Sequence, residues 1–458
     1  MICVLTAQGR LHPSQPATPL VSQGETGYPQ EIESIVNARC LSCHAGATGG
    51  GGLVLNTWEH LMAGSSYGEA VIPFDADNSL LLEMATKLAG GPHPRELGGE
   101  MLTDRELAIL RRWIADGARS STGEVPFAEA SQRLLVGSQD EALVSVIDME
   151  SNVVIHTIDL QELGFSATAK PHHIATEPDG SFFYVSLIAD GKVLKFNSAY
   201  ELVGQADFET PGMMALHPTE DLLYVGRSMA AVNPPMRIGE IRRSDMEIDE
   251  IDVFFPRPHA IAVEPHGAYA YTASLAENQV VTVNTDTREA QFTAIDGPTH
   301  TFVQFAISPD GNTMVAATQL TGKILVFDIG SSPIATLVDS IAVNAAPWHP
   351  AFSPDGRYVY VGNKNANTVT AVDMTTRSVA AVIEGRGLAQ PHGLAVSPDG
   401  RYLYVSNNNL RGEYTPRYDL GDNELSGTVT VINTSTYTIE KVIEVERYAS
   451  GVATLITN

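Results

Sequence analysis

The sequence predicts two unlike domains: a small all-α domain, followed by an all-β seven-bladed propeller closed by its C-terminal strand. Three observations carry this prediction. Residues 29–119 punctuate as helices and loops, whereas from residue 132 onward the chain reads as short strands and turns. One unit then recurs six times, as EPDGSFFYVSL (177–187), HPTEDLLYVGR (217–227), EPHGAYAYTAS (264–274), SPDGNTMVAAT (308–318), SPDGRYVYVGN (353–363) and SPDGRYLYVSN (397–407). Finally, the two ends of the repeated region hold complementary fragments of a seventh unit.

The repeat sets the architecture. Tyr184, Tyr224, Tyr271, Met314, Tyr360 and Tyr404 mark one position, at steps of 40, 47, 43, 46 and 44 residues. A period of 40–50 residues built from strands belongs to propeller blades of four strands each. The Pro-Asp-Gly segments supply tight reversals, and segments such as KILVFD (323–328) and NTVTAVD (367–373) give the following strands. Residues 133–148 match the later strands of a unit but lack its first, and SGVATLITN (450–458) supplies a first strand alone. Joining them closes the ring and removes open sheet edges. The signatures YVGN (360–363) and YVSN (404–407) make residues 132–458 resemble the YVTN-type seven-bladed propellers. That resemblance implies the fold and leaves the function open.

Composition narrows the rest. The 458 residues carry 54 acidic against 28 basic side chains, a formal charge of −26. Such a chain is unsuited to nucleic acid or an anionic membrane surface. Hydrophobic residues make up 43%, which excludes wholesale disorder, and the sequence predicts no transmembrane segment. Three cysteines, Cys3, Cys40 and Cys43, are too few for a disulfide-stapled scaffold. Residues 1–28 read as a leader, the remnant of a signal peptide, and residues 120–131 as a linker.

The α domain, residues 29–119, carries CLSCH (40–44). Two thiols one helical turn apart can add to the two vinyl groups of a haem, and the next histidine reaches the iron. A thioredoxin-like pair would need a βαβ context, which is absent. The expectation is one covalent haem c on Cys40 and Cys43, with His44 as an axial ligand. The flanks agree: YPQEIESIVNARCLSCHAGA resembles a c-type cytochrome opening, and GLVLNTWEHLMAG, FDADNSLLLEMATKL and MLTDRELAILRRWIADGA resemble the planctomycete-type cytochrome c domain. Thr103 and Glu106 form a capping box ahead of an apolar stripe of Leu107, Leu110, Trp113 and Ile114. Met84 reads as core on its helix. The second axial ligand stays open between His93 and Met101. Met101 is the usual thioether type, but it lies two residues before the Thr103 cap, and HPRELGG (93–99) puts His93 where the resemblance places methionine. Two histidines would mean a lower potential. The resemblance implies haem attachment outside the cytoplasm, hence a periplasmic or extracellular protein.

Six propeller histidines, His172, His173, His259, His300, His349 and His392, fall at blade openings such as KPHHIA, RPHAIA, PTHTFV, PWHPAF and QPHGLA. These positions start the innermost strands at one mouth of the central channel. One reading is packing of imidazoles near the axis. The other is a metal site, since imidazole clusters suit copper, zinc or iron. His172, His259 and His392 share a slot; His173 and His349 take the next one, which on a regular strand faces the other way. In plan, though not in motif, the chain resembles nitrous oxide reductases, thiocyanate dehydrogenases and propeller-type nitrite reductases. That implies copper or another metal in the propeller and a small inorganic substrate.

Two insertions, 228–243 and 408–427, exceed what a blade turn needs. Their Arg242, Arg243, Arg411 and Arg417 suit either an anion or pairing with the many carboxylates. No Ser-His-Asp order, P-loop or dinucleotide fingerprint stands out. The sequence therefore predicts extracytoplasmic electron transfer with a redox partner protein, either as an oxidoreductase or as a non-catalytic carrier or scaffold.

Overall fold

The computed structural model describes residues 26–46, 49–65, 68–88, 93 and 99–457. The leader assigned to residues 1–28 lies outside them except for its last three positions.

The α domain holds helices α1 (Gln30–Arg39), α2 (Leu41–His44), α3 (Trp58–Met62), α4 (Leu80–Lys87) and α5 (Asp104–Ala115). The Thr103 hydroxyl accepts from the Glu106 N–H and the Glu106 carboxylate accepts from the Thr103 N–H, so the predicted capping box is formed. Ile32, Ile35 and Val36 of α1 meet Leu110, Trp113 and Ile114 of α5, all buried. The indole N–H of Trp58 donates to the Ala118 carbonyl at 2.7 Å, and that of Trp113 to Arg119 at 2.9 Å. Both indoles thus tie the end of α5 back onto the domain.

Seven four-stranded antiparallel sheets follow. In the closing blade the C-terminal strand Ala449–Ile456 pairs with Gln132–Ser138, which continues to Leu143–Asp148 and Val153–Asp159. The first and last strands of the propeller are therefore hydrogen-bonded neighbours, as the complementary end fragments require. The Ser450 hydroxyl lies 3.0 Å from both the Gly137 and Pro171 carbonyls and donates between them, stitching the closing blade to the next. The five repeat tyrosines are all at most 2% exposed, and each sits mid-strand, where its ring fills the gap between neighbouring blades. In the copy at 308–318 their place is taken by Val315 and not by Met314: Val315 pairs with Ala306 as Tyr184 pairs with Ala175 and Tyr360 with Ala351.

The innermost strands share a local device. Lys170, Thr210, Arg257, Thr301, Ala346, Gln390 and Tyr448 each have a positive φ, between 47° and 62°. Each stands immediately before an innermost strand: Pro171–Thr176, Pro211–Leu216, Pro258–Val263, Phe302–Ile307, Pro347–Phe352, Pro391–Val396 and Ala449–Ile456. Each of these strands then carries one extra residue relative to its partner. A bulge interrupts strict side-chain alternation. It falls at the blade openings, where the histidines lie.

The two domains share a packed boundary. Ile72 of the α domain is buried among Leu134, Val154, Tyr404 and Val445 of the propeller. The Glu69 carboxylate accepts from the Val154 N–H at 3.0 Å, and burial pushes that carboxyl above its usual range. No helix among the described residues is long and apolar enough to cross a membrane.

Candidate functional site

Cys40 closes α1 and the short helix α2 carries Cys43 and His44. The Cys43 and His44 N–H groups both donate to the Cys40 carbonyl, at 3.1 and 3.0 Å, so a single turn sets the cysteine spacing. Burial pushes the Cys40 thiol up to about 11. The turn borders a cavity of about 410 Å³ lined by Cys40, Cys43, His44 and His93 together with apolar side chains that include Ile35, Val36, Leu53, Leu81 and Leu110.

The His44 ring is oriented by its own loop. Its Nδ1 lies 3.2 Å from the Leu53 carbonyl, an acceptor only, so Nδ1 carries the proton and Nε2 is left unprotonated. His93, whose backbone N–H donates to the Met84 carbonyl at 2.8 Å, places its ring centroid 5.9 Å from that of His44. Two imidazole nitrogens each about 2 Å from one metal ion put their ring centroids roughly 6 Å apart. The donor set and the apolar lining therefore fit a haem.

Met101 is not among the cavity's lining residues, although its neighbour Leu102 is. Its position just before the α5 cap holds it outside. Met84, read from sequence as core, lines the cavity instead. Residues 94–98 of the HPRELGG segment lie outside the described residues.

Sequence reasoning missed one part of this site. The propeller insertion at 408–427 contributes Arg417 and Tyr418 to the cavity wall. The Arg417 N–H donates to Glu444 at 2.7 Å, and the Tyr418 carbonyl accepts from Asn423 at 2.8 Å, which anchors this wall to the propeller. The length of the insertion was the available signal; its destination was not readable. Of the other insertion arginines, Arg242 pairs with Asp245 and Arg243 with Glu177, the bland alternative.

At the propeller axis, five of the six blade-opening histidines converge. Ring centroids lie 5.4 Å apart for His172 and His392, 4.9 Å for His349 and His392, and 6.1 Å for His173 and His349. Rings from the two slots expected to face apart thus meet, because the bulges break the alternation. His259 joins them electrostatically, acting on His172, His173 and His349. Burial holds His259 and His173 down at about 4, and His172, His349 and His392 well below the usual range. His300 does not join them; its ring bonds Thr321 at 2.9 Å and lies against Phe302.

Among the described residues no three or more His, Cys, Asp or Glu side chains are gathered to hold a metal ion. Several ring nitrogens are already engaged: Nδ1 of His172 by Gln139, of His173 by the Met214 N–H, and of His259 by the Arg227 carbonyl.

Fold and site together define a cytochrome c domain joined to a seven-bladed β-propeller. The family model described as planctomycete cytochrome C matches residues 40–90, and the one described as lactonase, 7-bladed beta-propeller, matches residues 261–384 and 299–431. No curated protein matches the chain. Among solved structures, the periplasmic gluconolactonase of Pseudomonas aeruginosa is 18% identical with a TM-score of 0.57, covering 71% of this chain and 99% of its own. A 6-phosphogluconolactonase, so described provisionally, from Bacteroides fragilis is 16% identical with a TM-score of 0.56, covering 72% and 99%. A functionally unknown protein from Desulfotomaculum acetoxidans is 16% identical with a TM-score of 0.57, covering 71% and 99%. At these identities the likeness shows the fold alone.

Proposed function

We propose that the protein transfers electrons outside the cytoplasm through one haem c joined to Cys40 and Cys43, ligated by His44 and His93, with the propeller docking a redox partner. The observation that carries this reading is the pair of facing imidazoles across an apolar cavity beside the CLSCH turn. Haem bound there supplies a one-electron iron couple. The chain's own residues do the rest. Leu53 fixes the His44 tautomer, so Nε2 is available to a metal. The aliphatic lining from α1, α4 and α5 excludes water. Arg417 brings a positive charge to the wall from the propeller side.

The test is redox titration of the purified exported protein with iron and other metals counted per chain. One iron, a haem that stays attached in denaturant and a reversible one-electron couple support the reading; no attached haem or no reversible couple overturns it. The same count decides copper or another transition metal at the propeller histidines, and with it catalysis on a small inorganic substrate. Near-stoichiometric metal beyond one iron supports that enzyme form, and iron alone leaves an electron carrier.

A further inference from the structure

The histidine mouth of the propeller has an electrostatic character that a metal cage would not need. The charged or titratable groups acting on His172, His349 and His392 are Lys364 and other histidines, with no carboxylate among them, in a chain that carries 54 acidic residues. Lys364 follows the strand Tyr358–Asn363 and lays its ammonium over Trp348, 4.3 Å from the ring centroid, and 5.9 Å from that of Tyr448. Among the described residues that ammonium makes neither a hydrogen bond nor an ion pair. The Trp348 ring lies in turn 5.5 Å from His392.

Two imidazole nitrogens at the same place lack partners. The Nε2 of His349 and the Nδ1 of His392 are buried without a hydrogen bond, on residues only 6% and 1% exposed. An orphaned buried polar atom costs about 1–3 kcal/mol, so a site that leaves two together points to a missing partner. The neighbouring tautomers supply further donors. Gln139 Nε2 has only hydrogens to offer the His172 Nδ1, at 3.0 Å, and the Met214 N–H donates to the His173 Nδ1 at 3.2 Å. Both rings therefore carry their own proton on Nε2. A second cation, itself paired with Glu413 at 3.9 Å, stands beside Lys364: Arg411 donates to the Asn365 side chain at 2.9 Å, and its backbone N–H donates to Gln390 at 3.1 Å.

N–H donors, an unpaired ammonium and no carboxylate repel a metal cation and suit several acceptor oxygens on a small negative ion. We propose that the channel mouth, through Lys364 and the imidazoles of His172, His349 and His392, binds a small oxyanion or carboxylate. The insertion 408–427 then touches both sites of the molecule, at Arg411 by the mouth and at Arg417 and Tyr418 in the haem cavity wall. Six residues of chain span at most about 22 Å, so one short segment links the anion mouth to the haem cavity.

Calorimetric titration of the haem-loaded full-length protein with nitrite, and separately with acetate, at pH 7 and low salt tests this. The expected result is one anion per chain, weakened tenfold or more in Lys364→Met, restored in Lys364→Arg and unchanged in His300→Gln, with no change in the haem absorption. Saturation by nitrite alone marks an inorganic oxyanion site; saturation by acetate also extends it to carboxylates. Absence of binding by both ions, equal binding in Lys364→Met, or one tightly held copper per chain displaced by His392→Ala overturns the proposal. Binding is read apart from the haem couple, so failure of the electron-transfer reading leaves this result standing.

Discussion

His44 and His93 face each other across the α-domain cavity with ring centroids 5.9 Å apart and planes inclined at 65°. One comes from the helix that ends the CLSCH turn, the other from a loop 49 residues further on. This meeting of two imidazoles over a cavity lined by leucine and isoleucine is the observation on which the proposed axial pair rests.

Replacing His93 by Ala is expected to leave the haem attached and to convert a six-coordinate low-spin iron into a high-spin one. Met101→Ala is expected to leave the spectrum as it is. Absorption and magnetic resonance spectra of the oxidised variants check both. A high-spin Met101→Ala with a low-spin His93→Ala would reverse the assignment.

Arg417 brings positive charge into the cavity wall, which favours the reduced iron because that state carries one positive charge fewer. Arg417→Gln is therefore expected to lower the midpoint potential, by up to about 59 mV, a tenfold change in the ratio of oxidised to reduced protein. Potentiometric titration measures it. An unchanged potential would show that the propeller wall does not tune the site, and a raised one would show that Arg417 does not favour the reduced state.

The buried imidazoles make stability depend on pH. Burial, opposed by the bond to the Arg227 carbonyl, brings His259 down to about 4 in the folded chain, against about 6.5 unfolded. Between these values the unfolded chain holds the extra proton, so stability is lost as pH falls from about 6.5 toward 4. One such group costs about 2 kcal/mol at pH 5 relative to pH 7. His172, His349 and His392 act in the same direction. Urea unfolding at pH 7 and pH 5 should show the loss, and His259→Gln should reduce it by about that amount.

Ser450 is fully buried and bridges two blades. Ser450→Val strands the Gly137 and Pro171 carbonyls, a loss of about 2–4 kcal/mol. Removing residues 449–458 instead takes the innermost strand out of the closing blade and opens a sheet edge. The point variant is expected to lower the unfolding temperature with the haem spectrum intact, and the truncation to aggregate. Calorimetry and light scattering distinguish these outcomes.

Much of the architecture was legible in the chain. The repeat tyrosines fixed the blade period, because each blade buries one at the same place. The fragments at 133–148 and 450–458 announced closure, because a ring with an incomplete blade at each end has only one way to satisfy both edges. CLSCH is a local motif, complete within one helical turn, and so is the Thr103–Glu106 cap. What the sequence left open depended on the path of the chain between elements. Strict alternation put His172 and His349 on opposite faces, and a bulge, invisible in residue types, brought both into one cluster. His300 lies upstream of the slots that the other five occupy, two residues ahead of its strand, and its loop turns the ring to Thr321. The proposed preference for His93 over Met101 rests on where the chain before α5 lies against the cavity, and the proposed roles of Arg417 and Lys364 on which loops reach across from the propeller. Periodicity and local motifs are written in neighbouring residues; convergence of side chains from distant blades is decided only when the whole ring packs.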